Sequence, residues 1–168
     1  MYHPPCNGPW PLQIVLRREK STMIKGNCLC GEVRFQVDGP VQALSHCHCS
    51  QCRKAYGSAF GTIAIVEARH FSYLAGNEFI ASFKQSERVT RYFCRNCGSR
   101  LPIAETWDPL VGIPAGLLEG DLCNIPSAHI FVGSKASWWE ITDSAPQHSE
   151  WKSGEDFNER FAEIKKGE

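Results

Sequence analysis

The sequence predicts a mainly β fold, and three observations lead to this class. Apolar and polar residues alternate over residues 32–37 and again over residues 88–93, a pattern typical of half-buried strands. Further apolar or aromatic runs have the length of strands, at residues 60–66, 79–83 and 129–132. Helix signals are few. We therefore expect several small antiparallel sheets with little helix.

Two short helices are predicted beside these strands. Residues 50–56 have room for one or two helical turns that end at Gly57. Near the C-terminus, Phe157, Phe161 and Ile164 recur at helical spacing, which predicts a short C-terminal helix.

Turn signals divide the remaining chain. Gly76 and Asn77 lie between strand candidates and predict a hairpin turn. Residues 106–126 carry three prolines and three glycines, and we expect a long loop there. Residues 1–22 hold four of the ten prolines and show no sustained period, so we interpret them as an irregular N-terminal extension. Residues 23–168 are then a single domain, and truncation to Met23 should be tolerated.

Composition excludes some classes of partner. Lys plus Arg and Asp plus Glu both number 18, which gives a formal net charge of zero, so no broad basic field is available to bind nucleic acid. No run approaches the roughly 18 to 20 apolar residues that span a bilayer, so a membrane is not an expected partner. Without an export signal, the expected location is cytoplasmic.

The nine cysteines are the unusual feature of the composition. Cys28 and Cys30 precede Gly31, and Cys94 and Cys97 precede Gly98, a residue that permits sharp turns. Each pair can supply two ligands to one metal ion, and together the pairs predict a closed, structural four-cysteine zinc site. Disulfides are an alternative, but the count is odd and a reducing compartment is expected. An iron–sulfur cluster is a second alternative.

A middle group supplies three sulfurs, from Cys47, Cys49 and Cys52. Three protein ligands with one open position are typical of catalytic zinc, so two zinc ions per chain are expected. His48 lies between two of these cysteines, and we expect its side chain to point away from the metal, towards solvent or into a supporting contact. Cys123 is interpreted as a buried free cysteine rather than a fourth ligand.

The three cysteine motifs resemble, in order and spacing, the glutathione-dependent formaldehyde-activating enzyme family. The resemblance covers about residues 24–151 and extends to residues 129–134 and 139–143. It implies a compact fold of several coiled β-sheets, called a β-tent. It further implies a structural zinc at Cys28, Cys30, Cys94 and Cys97, and a catalytic zinc at Cys47, Cys49 and Cys52. Members similar to the founding enzyme join formaldehyde to glutathione, which gives S-hydroxymethylglutathione.

Zinc bound by three thiolates carries a local charge of about −1, which makes it a weak Lewis acid that suits a soft thiolate ligand. This preference agrees with the activity that the resemblance implies, a carbon–sulfur lyase that forms or cleaves a thiol–aldehyde adduct from a glutathione-like thiol. The alternatives are a non-catalytic zinc-binding interaction module and a different thiol-dependent enzyme on the same scaffold. The oligomeric state is not predicted.

Several other side chains have open roles. Arg53 and Lys54 either have a functional role, in which they offset the negative charge of the middle group or hold a substrate carboxylate, or form an ordinary solvated pair. His129 is either a core histidine or a proton shuttle. Tyr56, Trp138 and Trp139 either line a pocket or belong to the core.

Overall fold

The structure is a computed structural model that describes residues 23–87, 89–103, 109–123 and 125–150. These residues form ten strands and one α-helix, which confirms the mainly β prediction. The strands are β1 (Ile24–Asn27), β2 (Arg34–Val37), β3 (Ala43–Cys47), β4 (Gly61–Glu67), β5 (Phe71–Ala75), β6 (Ile80–Lys84), β7 (Thr90–Cys94), β8 (Leu110–Pro114), β9 (Leu118–Glu119) and β10 (Ser127–Ile130). The helix is α1 (Ser50–Tyr56).

The strands are distributed over three small sheets. The first has the order β5-β2-β1-β9, the second β10-β3-β4-β8, and the third contains β6 and β7. All pairings are antiparallel except that of β10 with β3, which is parallel. The second sheet is thus mixed, which the sequence analysis did not anticipate.

The main core lies between the first two sheets. Phe35 and Val37 of β2 pack with Ala64 and Val66 of β4, and Ile113 of β8 joins them. All five side chains are fully buried. The alternation of apolar residues in β2 therefore directs one face of that strand into the core, as predicted.

Local predictions were mostly confirmed. The alternating segments overlap β2 and β7, and the strand-length runs overlap β4 and β6, each to within one or two residues over most of its length. Helix α1 has the predicted bounds, and Gly57 ends it in the left-handed conformation with φ 59°.

Three expectations were wrong in part. Gly76 and Asn77 do form a turn, but β5 and β6 on either side belong to different sheets, so the turn is not a hairpin. The expected long loop contains β8, whose five residues are all buried, and β9. The run at residues 129–132 is only half strand, because β10 ends at Ile130 and Phe131 adopts φ 57°.

Two expectations concern the ends of the chain. The interpretation of residues 1–22 and the predicted C-terminal helix both lie outside the described residues. In the part of the chain that is described, no helix has the length and apolar composition needed to cross a bilayer.

We predict that Phe35→Ala lowers the free energy of unfolding by about 3–5 kcal/mol, because a fully buried ring is lost from a packed core. Chemical denaturation measures this change. The control is Phe83→Ala, since Phe83 is 61% exposed and its loss should change stability by less than about 0.5 kcal/mol. Equal effects of the two substitutions would contradict the assigned core.

Candidate functional site

Four cysteines from two distant turns meet at one point. Cys28 and Cys30 lie in the turn between β1 and β2, whereas Cys94 ends β7 and Cys97 lies in the turn that follows. Their four sulfurs all lie within 4.8 Å of one another. The Sγ atoms of Cys28 and Cys30 are 3.4 Å apart, and those of Cys30 and Cys94 are 3.8 Å apart. The first and third sequence clusters thus combine, as predicted.

Glycine makes both turns possible. Gly31 has φ 79° and Gly98 has φ 76°, values that side chains other than that of glycine rarely adopt. The N–H of Gly31 donates to the carbonyl of Cys28 at 2.9 Å, and the N–H of Gly98 donates to the carbonyl of Cys94 at 2.8 Å. Each turn is closed by its own backbone hydrogen bond, which directs its two cysteines to one side.

The second group contains Cys47, Cys49 and Cys52. Cys47 ends β3, Cys49 caps the N-terminus of α1, and Cys52 lies in the first turn of that helix. The sulfur of Cys49 accepts the backbone N–H of Cys52 at 3.3 Å and lies 3.5 Å from the sulfur of Cys47. Strand end, cap and first helical turn together collect three sulfurs within 4.8 Å of one another.

Hydrogen bonding makes one of these thiols acidic. A side-chain hydrogen bond with Cys47, together with further contacts to Cys49 and Arg91, lowers the pKa of Cys52 to about 6, although burial opposes this. The same hydrogen bond raises the pKa of Cys47. The lowered pKa favours the thiolate, the form in which cysteine binds metals and acts as a nucleophile.

Two arginines lie close to this group, and the sequence analysis did not identify them. Arg91 on β7 forms a hydrogen bond with Cys52. Arg100 lies over the ring of Tyr56, 5.5 Å from its centre, and its Nε and Nη2 atoms are buried without a hydrogen-bond partner among the described residues. Their positive charges are favourable for thiolates, a role that the sequence analysis offered to Arg53 and Lys54.

Arg53 and Lys54 occupy different environments on α1. Lys54 is exposed, whereas Arg53 is half-buried and its Nε atom has no hydrogen-bond partner in the described part of the chain. Lys54 therefore fits the alternative interpretation of a solvated side chain, whereas the buried Nε of Arg53 does not.

Buried histidines form the other side of the site. His48 is fully buried, so the expectation that it could face solvent is wrong. Its Nε2 lies 2.7 Å from Nδ1 of the buried His129, whose Nε2 contacts the carboxylate of Asp143 at 3.1 and 3.2 Å. Burial lowers the pKa of His48 to about 4, and the neighbouring His129 adds to this effect. The sequence analysis included Asp143 only within residues 139–143, a segment of the family resemblance, and gave it no role.

Aromatic side chains surround these imidazoles. The ring of Phe60 is 5.0 Å from that of His48, and the ring of Trp139 is 5.9 Å from that of Phe60. Trp138 and Trp139 are 70% and 41% exposed, which rules out the interpretation that they belong to the core. They form an accessible aromatic edge next to the histidines.

Cys123 belongs to neither group. It is exposed and disulfide-bonded, so the expectation of a buried free cysteine is wrong. By contrast, all seven cysteines of the two groups are free thiols.

The chemistry of the two donor sets fits metal ions. Thiolates are ligands for zinc at about 2.3 Å, which places sulfurs of a tetrahedral site roughly 3.8 Å apart. The sulfur–sulfur distances of 3.4–3.8 Å lie close to this separation. Each group could therefore hold one metal ion.

Comparison with known proteins places this site in a family. The family model described as "Glutathione-dependent formaldehyde-activating enzyme" matches residues 23–134, which include all seven of these cysteines. The chain belongs to this family. The resemblance stated from the sequence is therefore confirmed.

Two similar proteins carry the names of a formaldehyde-activating enzyme and of a lyase. A protein of Halomonas elongata, assigned as a glutathione-dependent formaldehyde-activating enzyme, is 31% identical over 127 residues, which cover 71% of this chain and 81% of the relative. An uncharacterised lyase of Schizosaccharomyces pombe is 33% identical over 82 residues, or 49% of this chain and 58% of the relative.

A solved structure shares the fold. The crystal structure of a Rhodobacter sphaeroides protein matches with a TM-score of 0.50 at 23% identity, over 62% of this chain and 99% of that protein. At this identity the match is evidence for the fold alone.

We predict that Gly98→Ala lowers the free energy of unfolding by about 1–2 kcal/mol, because the added methyl group disfavours the left-handed conformation that the turn requires. No atom lies within 4 Å of the added carbon, so the effect is that of the backbone alone. Gly116→Ala is the matched control, because Gly116 has equally open space and no positive φ. Thermal or chemical denaturation of both variants measures the difference, and equal stabilities would contradict the assigned turn.

Proposed function

We propose that the protein is a zinc-dependent carbon–sulfur lyase of the glutathione-dependent formaldehyde-activating type. The supporting observation is the middle group: three free thiols collected at the start of α1, with no further His, Cys, Asp or Glu of the described residues in the group. A three-ligand set leaves a position for substrate, whereas a four-cysteine set is closed. The proposed catalytic zinc ligands are Cys47, Cys49 and Cys52, and the proposed structural ligands are Cys28, Cys30, Cys94 and Cys97.

The proposed reaction joins a thiol to an aldehyde. The sulfur of glutathione forms a bond to the carbon of formaldehyde, and the thiol proton is transferred in net terms to the aldehyde oxygen, which gives S-hydroxymethylglutathione. The reverse reaction breaks the same carbon–sulfur bond. Zinc held by three thiolates would supply a soft coordination position that suits a thiolate better than a hydroxide.

The residues of this chain would organise the reactants. Arg91 and Arg100 offset the negative charge of the middle group, because one forms a hydrogen bond with Cys52 and both lie close enough to interact with that thiolate. Arg53 and Lys54 extend along the adjacent helix and could attract the carboxylates of glutathione. The buried unpartnered Nε of Arg53 supports this role, since a bound carboxylate would satisfy it.

Two alternative functions use the same residues. A non-catalytic zinc module would have a fourth protein ligand at the middle group, and a different thiol-dependent enzyme would retain the three-cysteine site but accept another thiol. Assays with glutathione and with other low-molecular-weight thiols separate these possibilities from the proposed lyase.

We predict that the purified protein contains up to two zinc ions per chain and condenses glutathione with formaldehyde. Metal analysis after purification without chelator measures the first property, and nuclear magnetic resonance of the hydroxymethyl product measures the second. Visible absorption from an iron–sulfur cluster would contradict the metal assignment. Two bound zinc ions without any thiol–aldehyde reaction would favour the non-catalytic module.

The two groups should respond differently to substitution. Cys49→Ser is expected to abolish activity while the fold is largely retained. The reason is that the three cysteines of the middle group lie on β3 and α1, which follow each other in the chain, so they do not join distant parts of the fold. Cys97→Ser is expected to impair folding, because a structural zinc contributes several kcal/mol or more to stability, on the order of that seen in small zinc domains. Circular dichroism and thermal unfolding provide the comparison. If Cys49→Ser unfolds the protein as severely as Cys97→Ser, the proposed division of roles is wrong.

A further inference from the structure

Asp143, His129 and His48 form one continuous hydrogen-bonded chain that ends beside the middle group. Asp143 is the accessible end, with a side chain that is 57% exposed, whereas His129 and His48 are buried. The three side chains come from separate segments, and 81 positions separate His48 from His129. Buried polar side chains of this kind are retained in a fold only when their hydrogen bonds are satisfied.

Asp143 and His129 are held in place by further hydrogen bonds. The carboxylate of Asp143 also accepts the backbone N–H of Ala145 at 2.9 Å. The N–H of His129 donates to the carbonyl of Pro146 at 2.8 Å, and the carbonyl of His129 accepts the N–H of His148 at 2.9 Å. On its other side His129 belongs to β10, which pairs with β3. The position of the His129 imidazole is therefore fixed by the surrounding backbone.

The direction of the hydrogen bonds follows from the acceptor at the end. Although burial raises the pKa of Asp143, the Ala145 N–H and His129 lower it below its ordinary value, so the carboxylate is ionised and can only accept. Nε2 of His129 must then donate to Asp143. A neutral imidazole has one donor and one acceptor nitrogen, so a His129 that donates from Nε2 accepts at Nδ1 from Nε2 of His48, and Nδ1 is then the acceptor nitrogen of His48. That atom has no hydrogen-bond partner among the described residues.

His48 connects this chain to the cysteines. It lies between Cys47 and Cys49, and its backbone N–H donates to the carbonyl of Ile130 at 2.9 Å. Because side chains alternate along an extended segment, His48 follows His46 on one face while the two cysteines use the other. An imidazole held on one face therefore fixes the backbone that carries the two sulfurs on the other.

We propose that Asp143 and His129 are positioning residues of the three-cysteine group. They hold the imidazole of His48 in one orientation and one tautomer, and His48 in turn fixes the Cys47–Cys49 turn so that its sulfurs stay 3.5 Å apart and ready to bind metal. Hydrogen bonds of this indirect kind orient metal ligands in many sites. The inference depends on the proposed function only in that the middle group binds zinc.

The experiment uses the full chain loaded with zinc and competes the metal away with a chromophoric chelator. Asp143→Leu removes the acceptor, and the exposure of Asp143 means that the substitution opens no internal cavity. Zinc affinity at the middle group should fall about 10- to 100-fold, with the affinity of the four-cysteine group unchanged within about twofold. Cys52→Ser identifies which release phase belongs to the middle group.

Two further variants sharpen the comparison. Asp143→Asn keeps a carbonyl that can accept from His129, so its zinc affinity should lie between those of the wild type and Asp143→Leu. Asp38→Leu is the matched control, because Asp38 forms a similar contact with His70 at 3.2 Å, next to the first sheet. It should leave both affinities unchanged.

Nitrogen-15 spectra of the imidazoles give a readout that does not depend on activity. In the zinc-loaded wild type, Nδ1 of His48 and of His129 should be unprotonated, and Asp143→Leu should mix the tautomers. Wild-type zinc affinity in Asp143→Leu with unchanged spectra would overturn the inference, as would a parallel loss at both metal groups. If Asp143→Leu selectively weakens zinc binding at the middle group but the protein has no lyase activity, the proposed function fails and the positioning role stands. If the protein has lyase activity but Asp143→Leu binds zinc like the wild type, only the positioning role is refuted. A wild type without metal at the middle group refutes both.

Discussion

Two turns that are 64 residues apart in the chain bring four sulfurs to one point between two sheets. One turn joins β1 to β2 of the first sheet, and the other follows β7 of the two-stranded sheet. Hydrogen bonds between thiols are weak, and they do not by themselves explain why four cysteines should meet. A shared metal ion would, since its binding free energy stabilises the folded chain. The Cys94 and Leu101 side chains pack against Cys28 and Val33, so this junction also organises a small core.

The mixed second sheet organises the rest of the site. In the parallel pairing of β3 with β10, Cys47 lies opposite Ile130, and His46 lies opposite His129. Ile130 packs with Cys47 and Cys52, while the ring of His46 stacks on that of His129 at 4.7 Å. One strand pair therefore presents sulfur on one face and imidazole on the other. The period of two along a strand is the physical reason that cysteines and histidines alternate in sequence over residues 46–49.

Features encoded by short-range spacing could be predicted from the sequence. The spacing of the cysteines within each motif, the helix that ends at Gly57 and the core-facing alternation of β2 all depend on neighbours within a few residues. The long loop was predicted wrongly because β8 is buried on both faces and so lacks alternation, and because Gly112 and Pro114 are typical of loops. Pro114 is tolerated because β8 is an edge strand of the second sheet.

Contacts that depend on strand pairing could not be predicted. The sequence shows no periodic pattern for two of these contacts, the approach of Arg91 to Cys52 and the hydrogen-bonded chain from His48 to Asp143. In both, the partners come from separate elements. Cys123 shows the same limit, since its exposure and its disulfide depend on surroundings that one-dimensional spacing does not encode.

The most direct test of the central claim is a crystal structure with anomalous diffraction collected on either side of the zinc absorption edge. The account predicts two zinc peaks per chain, one surrounded by the sulfurs of Cys28, Cys30, Cys94 and Cys97, and one bound by those of Cys47, Cys49 and Cys52. A disulfide within either group, or a middle zinc closed by a fourth protein ligand, would contradict it.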